Sequence, residues 1–183
     1  MRRRELLFLM PGPSWAAPVP EYSSAVRKLA SLEADKVPAG SSVTFSHAEI
    51  NAYARQEAPP GVRKPEVRLL GQGRASGAAL VDFSKFGSDR GLPANWLLRN
   101  LLAGERPVAA TVRIQAQNGR CRVDIERVEV SGVPLEGSAL GFLIDAFVRP
   151  LYPKARIGEW FPLRHKVESI RISPSAISVR VYG

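Results

Sequence analysis

The stretch that most constrains the fold runs from Leu135 to Tyr152 and is apolar almost throughout. From Ala139 on, its only charged residues are Asp145 and Arg149, and their spacing lets them pair on one helix face. A helix with so narrow a polar sector is typical of a core element or of the wall of an apolar cavity. It is too short and too charged to cross a membrane. As a helix, it forms one continuous apolar stripe of Leu140, Leu143, Ile144, Phe147 and Leu151, widened by Phe142 and Val148.

The clearest local signal is a β-hairpin around Asn118-Gly119. Both flanking segments, 108–117 and 120–130, alternate apolar and polar residues, and Asn-Gly supplies the left-handed backbone that a tight hairpin turn needs. The apolar phase of the second segment shifts after Ile125. That shift predicts a β-bulge or a bend near Arg127, which is typical of strongly coiled sheets.

Periodicity and turn residues divide the rest of the chain into short elements. A capping box at Ser46-His47-Ala48-Glu49 opens one of the helices. Hairpins separated by helices indicate an α+β fold, with a strongly twisted antiparallel meander sheet wrapped around the long apolar helix and additional short helices. Residues 21–183 then form one domain. We expect helices over 21–36, 47–56 and 93–103, and strands over 42–45, 66–70, 77–83, 166–172 and 176–182.

The charge of the chain favours anionic partners. Its net charge of +9 and its pI near 10.3 imply attraction to nucleic acid, acidic polymers or phospholipid head groups. No nucleic-acid-binding signature accompanies the charge, so we expect a solvated outer sheet face rather than a nucleic-acid site. Many arginines alternate with apolar residues as such a face requires, among them Arg113, Arg120, Arg122, Arg127, Arg171 and Arg180.

The first residues resemble a targeting segment. Arg2, Arg3 and Arg4 precede the apolar run 6–10, and small residues follow it, as in a secretory signal peptide. The apolar run is shorter than a working secretory core, so an unstructured basic tail is the alternative. We therefore exclude residues 1–20 from the fold and predict a periplasmic or cell-envelope location, with a cytoplasmic one left open.

The sequence contains no recognisable catalytic or metal-binding motif. His47 and His165 lack ligands at metal-binding spacing, and the single Cys121 alternates with apolar residues, which indicates a buried thiol. Asp82 lies between apolar residues of a strand, where it faces outward or bonds to a neighbouring loop. We predict no enzyme, cofactor or metal, and surface ion pairs for the carboxylates Asp124, Glu126 and Glu129, which are interleaved with arginines.

Four segments together resemble small exported bacterial proteins of the tubular lipid-binding (TULIP-like) type. They are SSVTFSHAEINAYA (41–54), ASGAALVDFSKF (75–86), VEVSGVPLEGSALGFLIDAF (128–147) and FPLRHKVESIRISPSAISVRV (161–181). The resemblance implies a twisted sheet around a long helix, with an elongated apolar groove between them for acyl chains. It further implies binding or transport of a lipid or other hydrophobic small molecule at the cell envelope, without catalysis.

The residues that would line such a groove are those that the periodicities already direct inward. Trp96, Trp160 and Phe161 are candidate entrance residues because amphipathic rings tolerate a boundary with water. The positive charge suits an anionic membrane surface. The same periodicities fit the alternative of a filled core, in a structural module whose basic face binds an acidic protein or polymer. The candidate groove residues are Val81, Phe83, Val112, Ile114, Leu140, Leu143, Ile144, Phe147, Ile170, Ile172, Ile177 and Val179.

Overall fold

The computed structural model of the protein describes residues 19–86, 96–149 and 156–183, and its main element is one sheet of nine strands. The strands are β1 (Ser42–Ser46), β2 (Val62–Gly71), β3 (Arg74–Asp82), β4 (Glu105–Gln117), β5 (Arg120–Val130), β6 (Val133–Pro134), β7 (Trp160–Pro162), β8 (Val167–Ile172) and β9 (Ala176–Val181). The helices are α1 (Pro20–Glu33), α2 (His47–Gln56), α3 (Trp96–Leu101) and α4 (Gly137–Leu143), with a 3₁₀ turn at Phe83–Phe86 and a π-helical segment at Ile144–Val148.

Strand β4 lies at the centre of the sheet, because it pairs with β3 and β8 along one edge and with β5 along the other. One edge of β4 pairs with β3 as far as Arg113 and then meets β8 at Ala116. Its other edge pairs with β5 from Val108 to Gln117. The order β1-β9-β8-β4-β3-β2 forms the main path, and the short strands β6 and β7 pair with β5. The pairings among these strands are antiparallel.

The expectation of a long apolar helix wrapped by the sheet is wrong. The fold is mostly antiparallel sheet with short helices, and α4 spans only seven residues before the π-helical segment begins. Leu135 is buried but precedes the helix. Gly137, whose φ is 54°, and Gly141 both lower the helix propensity of the segment. The apolar stripe therefore overestimated the length of the regular helix. Of its members, Leu143 is buried, Leu140, Ile144 and Phe147 are half-buried, and Leu151 lies outside the described residues.

The local predictions around the central hairpin are confirmed. Gln117 pairs with Arg120 across the Asn118-Gly119 turn. The register then shifts between Thr111 and Val112, which leaves Glu126 without a partner in the ladder. This extra residue forms the predicted bulge. Because of it, Val128 and Val130 project from the same sheet face as Ile125.

The outer face of the sheet carries the predicted ion pairs. Glu126 lies 2.7 Å from Arg74 and 2.8 Å from Arg113, so one carboxylate joins two cations on neighbouring strands. Asp124 pairs with Arg122 at 2.9 Å. Arg127 also pairs with Glu129. These contacts are partly exposed and contribute little to stability individually, but they keep this face polar.

Two buried polar residues fasten α2 to its neighbours. Glu49 accepts hydrogen bonds from Lys28 Nζ at 2.6 Å and from the Ser24 hydroxyl at 2.5 Å, both on α1. The predicted capping box is confirmed: Glu49 also accepts the Ser46 amide at 2.7 Å, and the Ser46 hydroxyl accepts the Glu49 amide. Burial alone would raise the pKa of Glu49, but these hydrogen bonds outweigh it and lower that pKa to about 2.

The second of these residues, Asn51, uses its side-chain amide to form the hydrogen bonds that a neighbouring strand would form with β2. Its side-chain Nδ2 donates to the Val67 carbonyl at 2.8 Å, and its Oδ1 accepts the Val67 amide at 2.8 Å. His47 contacts the same carbonyl through Nε2 at 2.7 Å. Helix α2 thereby covers part of the edge strand β2, which would otherwise present unpaired backbone groups.

The turn between β2 and β3 requires its glycines because it packs against another strand. Gly73 has φ of 75°, and a Cβ at this position would lie 2.6 Å from the Ile114 carbonyl oxygen. The Gly73 carbonyl accepts the Ile114 amide at 2.7 Å. The turn is therefore docked onto β4, beside the junction with β8.

Candidate functional site

The helices pack on the apolar face of the sheet, and that face contains a cavity of about 370 Å³. Its floor is formed by β4 and β5, and its roof by the end of α4 and the π-helical segment. The segment around Ile157 and strand β7 close one side. The lining residues are Val108, Ala110, Val112, Val123, Ile125, Val128, Leu143, Ile144, Val148, Arg156, Ile157 and Phe161.

The floor follows directly from the alternation of the central hairpin. Val112 pairs with Ile125, so both side chains project from the same face. The bulge at Glu126 then brings Val128 onto that face as well, although it is an odd number of residues from Ile125. Ala110 lies in register with Gly77 of β3, and these two small residues leave space above the sheet.

The roof changes its helical geometry where it meets the cavity. The Arg149 amide donates to the Ile144 carbonyl, five residues back, as in a π-helix. Ile144 and Val148, the first and last residues of the π-helical segment, both line the cavity. Such segments are rare and occur frequently at functional sites because they displace side chains from regular helical positions.

The side wall comes from residues 156–161, where the sequence pattern predicts neither a helix nor a strand. Phe161 pairs in register with Cys121 of β5, and Ile157 forms a parallel bridge with Val123. These contacts hold both side chains against the edge of the floor. Cys121 is only 3% exposed, and burial raises the pKa of its thiol, so the predicted buried apolar cysteine is confirmed.

The cavity is apolar except at one point. Of its lining residues, only Arg156 is charged, and the lining surface consists almost wholly of carbon. Arg156 therefore contributes its aliphatic stem, while 69% of its side chain is exposed. The guanidinium lies 3.6 Å from the carboxylate of Glu159, which is 66% exposed. Such a site can hold a hydrocarbon by dispersion and by exclusion of water.

The structure brings together only part of the predicted groove. Val112, Leu143 and Ile144 line the cavity, as does the entrance candidate Phe161. Val81, Phe83, Leu140 and Phe147 pack beside it, in a cluster that also contains Leu143. Ile114, Ile172 and Ile177 belong to a separate cluster at the centre of the sheet, and Ile170 and Val179 pack with α1.

The two tryptophans among the entrance candidates lie away from the cavity. Trp96 begins α3 and is 67% exposed. Trp160 is half-buried on β7 and pairs in register with Arg122, so it projects from the opposite face to Phe161. Neither residue lines the cavity, and of the predicted entrance residues only Phe161 does.

Sequence reasoning missed most of the floor. The alternation of the central hairpin predicts one apolar face, but it does not separate a packed position from one beside a void. Val108, Ala110, Val123 and Ile125 were therefore not among the candidate groove residues, although they line the cavity. Ile157 lies in a segment that shows neither helical nor strand periodicity. The shift of the apolar phase near Arg127 was the one sequence pattern that indicated an irregular strand beside the cavity.

The titratable groups singled out in the sequence lie in structural roles. Asp82 accepts the Ser84 hydroxyl at 2.6 Å and the Ser84 amide at 3.2 Å, and the hydroxyl bond is the main cause of its lowered pKa. It thus bonds into the following 3₁₀ turn, which was one of its two predicted arrangements. His165 is exposed in a turn with φ of 56°. Among the described residues, no cluster of His, Cys, Asp or Glu could hold a metal ion.

Comparison with known proteins adds no relative. A scan against protein-family models, a search of curated proteins and a search of solved structures found no match. Within the described ranges, every helix is too short or too polar to cross a membrane. The resemblance to tubular lipid-binding proteins therefore remains a prediction from sequence patterns, and the function must be argued from the cavity itself.

Proposed function

We propose that this protein binds a small apolar ligand, or the apolar tail of a lipid, without catalysis. The observation that carries the proposal is the cavity between the β4–β5 floor and the roof formed by α4 and the π-helical segment. Apolar cavities of about 300–1,000 Å³ are typical of small-molecule sites, whereas packed protein interiors leave few voids larger than a water molecule.

The size of the cavity limits the ligand. A volume of about 370 Å³ lies at the lower end of the range of about 300–1,000 Å³ that is usual for small-molecule sites. One alkyl chain of medium length, or a compact ring compound, matches that volume, but two long acyl chains do not. The elongated groove for full-length acyl chains that the sequence resemblance implied is thus replaced by a more compact site.

The apolar contacts alone give a low expected affinity. Burying each methylene contributes about 0.8 kcal/mol, so a chain of about ten carbons gains roughly 8 kcal/mol. Lost translational and rotational freedom offsets about 4 kcal/mol or more of this gain. The apolar contacts alone therefore give a net gain of about 4 kcal/mol or less, which corresponds to a dissociation constant of roughly a millimolar or weaker.

We place this binding at the cell envelope. The support is the sequence of residues 1–10, in which three arginines precede a short apolar run, together with the net charge of +9, which favours contact with anionic membrane surfaces. A carrier at this location would pick up or release its ligand near the bilayer.

The test is calorimetric titration of 1-decanol into protein freed of bound lipid. Ala110→Leu extends a side chain from the floor into the void, and Val148→Phe does so from the roof, so both are expected to weaken decanol binding at least about tenfold. Ala78→Leu is the matched control, because Ala78 is exposed on the outer face of the sheet.

Two results would overturn the proposal. One is folded wild-type protein that takes up no decanol, which would favour a filled-core module whose basic face binds an acidic partner. The other is decanol binding that both cavity-filling variants leave unchanged, which would place the ligand elsewhere.

A further inference from the structure

The rim of the cavity carries one cation in a position to read the head group of a ligand. Arg156 lines the void with its stem, and its guanidinium lies at the solvent side. A molecule whose tail filled the apolar interior would therefore place its polar end within reach of a planar group with five N–H donors. Such a group matches the geometry of carboxylates, sulfates and phosphates.

The present partner of Arg156 is one that a ligand can replace. Glu159 is three residues away, the two charged groups are 3.6 Å apart, and both side chains are more than 60% exposed. Exposed ion pairs of this kind contribute little free energy because water screens them. An anion held at the rim by its own buried tail gains a high local concentration beside the guanidinium and competes effectively with Glu159.

We propose that the ligand is a single-chain anionic amphiphile, whose alkyl tail occupies the cavity and whose head group binds Arg156. This inference rests on the proposed function and names its ligand class. The volume suits a single chain, and the one charged lining residue favours a negative head group. A neutral or cationic amphiphile with the same tail gains the apolar contacts but not the ion pair.

The experiment compares decanoate with 1-decanol by calorimetric titration at neutral pH and low salt. Arg156→Gln removes the charge and shortens the stem that lines the cavity, so it should weaken decanoate binding about fivefold and decanol binding by clearly less. Arg156→Lys should restore part of the loss. Arg164→Gln is the charge-matched control, because Arg164 is exposed and does not line the cavity.

A second variant tests the competition directly. Glu159→Gln removes the carboxylate that now pairs with Arg156, so it should tighten decanoate binding by up to about threefold and leave decanol unchanged. Acetate, which has the head group without the tail, should bind none of these proteins measurably. Raised salt should reduce the preference for decanoate over decanol in the wild type.

The outcomes separate this inference from the proposed function. If decanol binds in the cavity but decanoate binds no better, and Arg156→Gln treats both alike, the head-group assignment is wrong while the apolar site stands. An equal loss of decanoate binding in Arg156→Gln and Arg164→Gln would also overturn it, because the effect would then be one of net charge. If neither compound binds, the proposed function fails first.

Discussion

The two ends of the apolar sheet face differ in how completely they are filled. The filled half, defined by Ala25, Leu32, Phe45, Val179 and Val181, packs α1 against β1 and β9 and buries each of these side chains. The cavity half, defined by the lining residues given above, places the roof over β4 and β5 with a void of about 370 Å³ between them. Both halves use the same alternation of apolar residues on one continuous sheet.

The helices above the two halves are also fastened differently. Helix α2 begins with a capping box, and its Glu49 joins Lys28 and Ser24 of α1. Helix α4 begins at Gly137 without a side-chain cap and passes into a π-helical segment. Hydrogen-bonded anchors thus hold the helical layer of the filled half in one position, while the roof of the cavity half contributes mainly apolar side chains. We infer that the filled half provides stability and the cavity half provides binding.

The largest effect on stability should come from removing a large side chain from the filled half. Phe45 is 7% exposed among the residues around α1, so Phe45→Ala should lower the free energy of unfolding by about 3–5 kcal/mol. Denaturant titration measures the loss, and decanol titration of the protein that remains folded should show unchanged affinity. A tenfold loss of affinity in this variant would mean that the two halves are coupled rather than separate.

Adding volume should have opposite consequences in the two halves. Ala25 is 1% exposed against neighbouring core residues, so Ala25→Leu should destabilise the protein by about 2–3 kcal/mol through overpacking. Ala110→Leu, the same change beside the void, should be neutral or stabilising and should abolish uptake of decanol. Equal destabilisation by the two substitutions in thermal unfolding would show that the void is not available to a side chain.

The anchor of the filled half should give stability a defined pH dependence. The folded-state pKa of Glu49 is lowered from 4.5 to about 2, so its contribution is present above pH 4.5 and is lost as the pH falls toward 2. Glu49→Gln should cost on the order of 1–2 kcal/mol at neutral pH, after allowance for screening at the partly exposed Lys28.

The matched control for this anchor is Asp145→Asn. That substitution breaks the Asp145–Arg149 pair of the cavity half, whose side chains are 60% and 70% exposed. Urea unfolding at a series of pH values should give a shallower acid decline for Glu49→Gln than for wild type, and a wild-type slope for Asp145→Asn. If Glu49→Gln kept the wild-type slope between pH 4.5 and 2, another group would be responsible for the acid sensitivity.

The smallest expected effect concerns the roof. A Cβ at Gly141 would contact no atom within 4 Å outside its own helix, so Gly141→Ala should raise the free energy of unfolding by about 0.5–1 kcal/mol. Because the added methyl group meets open space, decanol affinity should change little. Destabilisation by this substitution would indicate that α4 needs the freedom of a glycine backbone.

The sequence predicts best where the determinants are local. Asn118-Gly119 forms its turn because few other residues accept the left-handed backbone there, and the phase shift after Ile125 marks the bulge without any tertiary information. The capping box at Ser46 and Glu49 is equally local. Each of these features depends on neighbours within a few positions of the chain.

The cavity could not be predicted because it depends on volumes contributed by distant segments. Ala110 and Val179 both occupy inward strand positions, yet one lies beside a void and the other is packed against α1. The difference arises from what covers each residue, and Phe161 and Ile157 reach the floor from a segment without periodicity. The apolar stripe after Leu135 identified the roof but not the length of its regular helix, which passes into a π-helical segment at Ile144.

The most direct test of ligand binding in the cavity is native mass spectrometry of wild-type protein and Ala110→Leu, purified side by side without detergent. Wild type should carry one small apolar or amphiphilic molecule, identifiable after organic extraction, and Ala110→Leu should carry no bound ligand. Equal occupancy in both proteins, or bare wild type that also fails to take up added decanol, would contradict the claim that the cavity is the binding site.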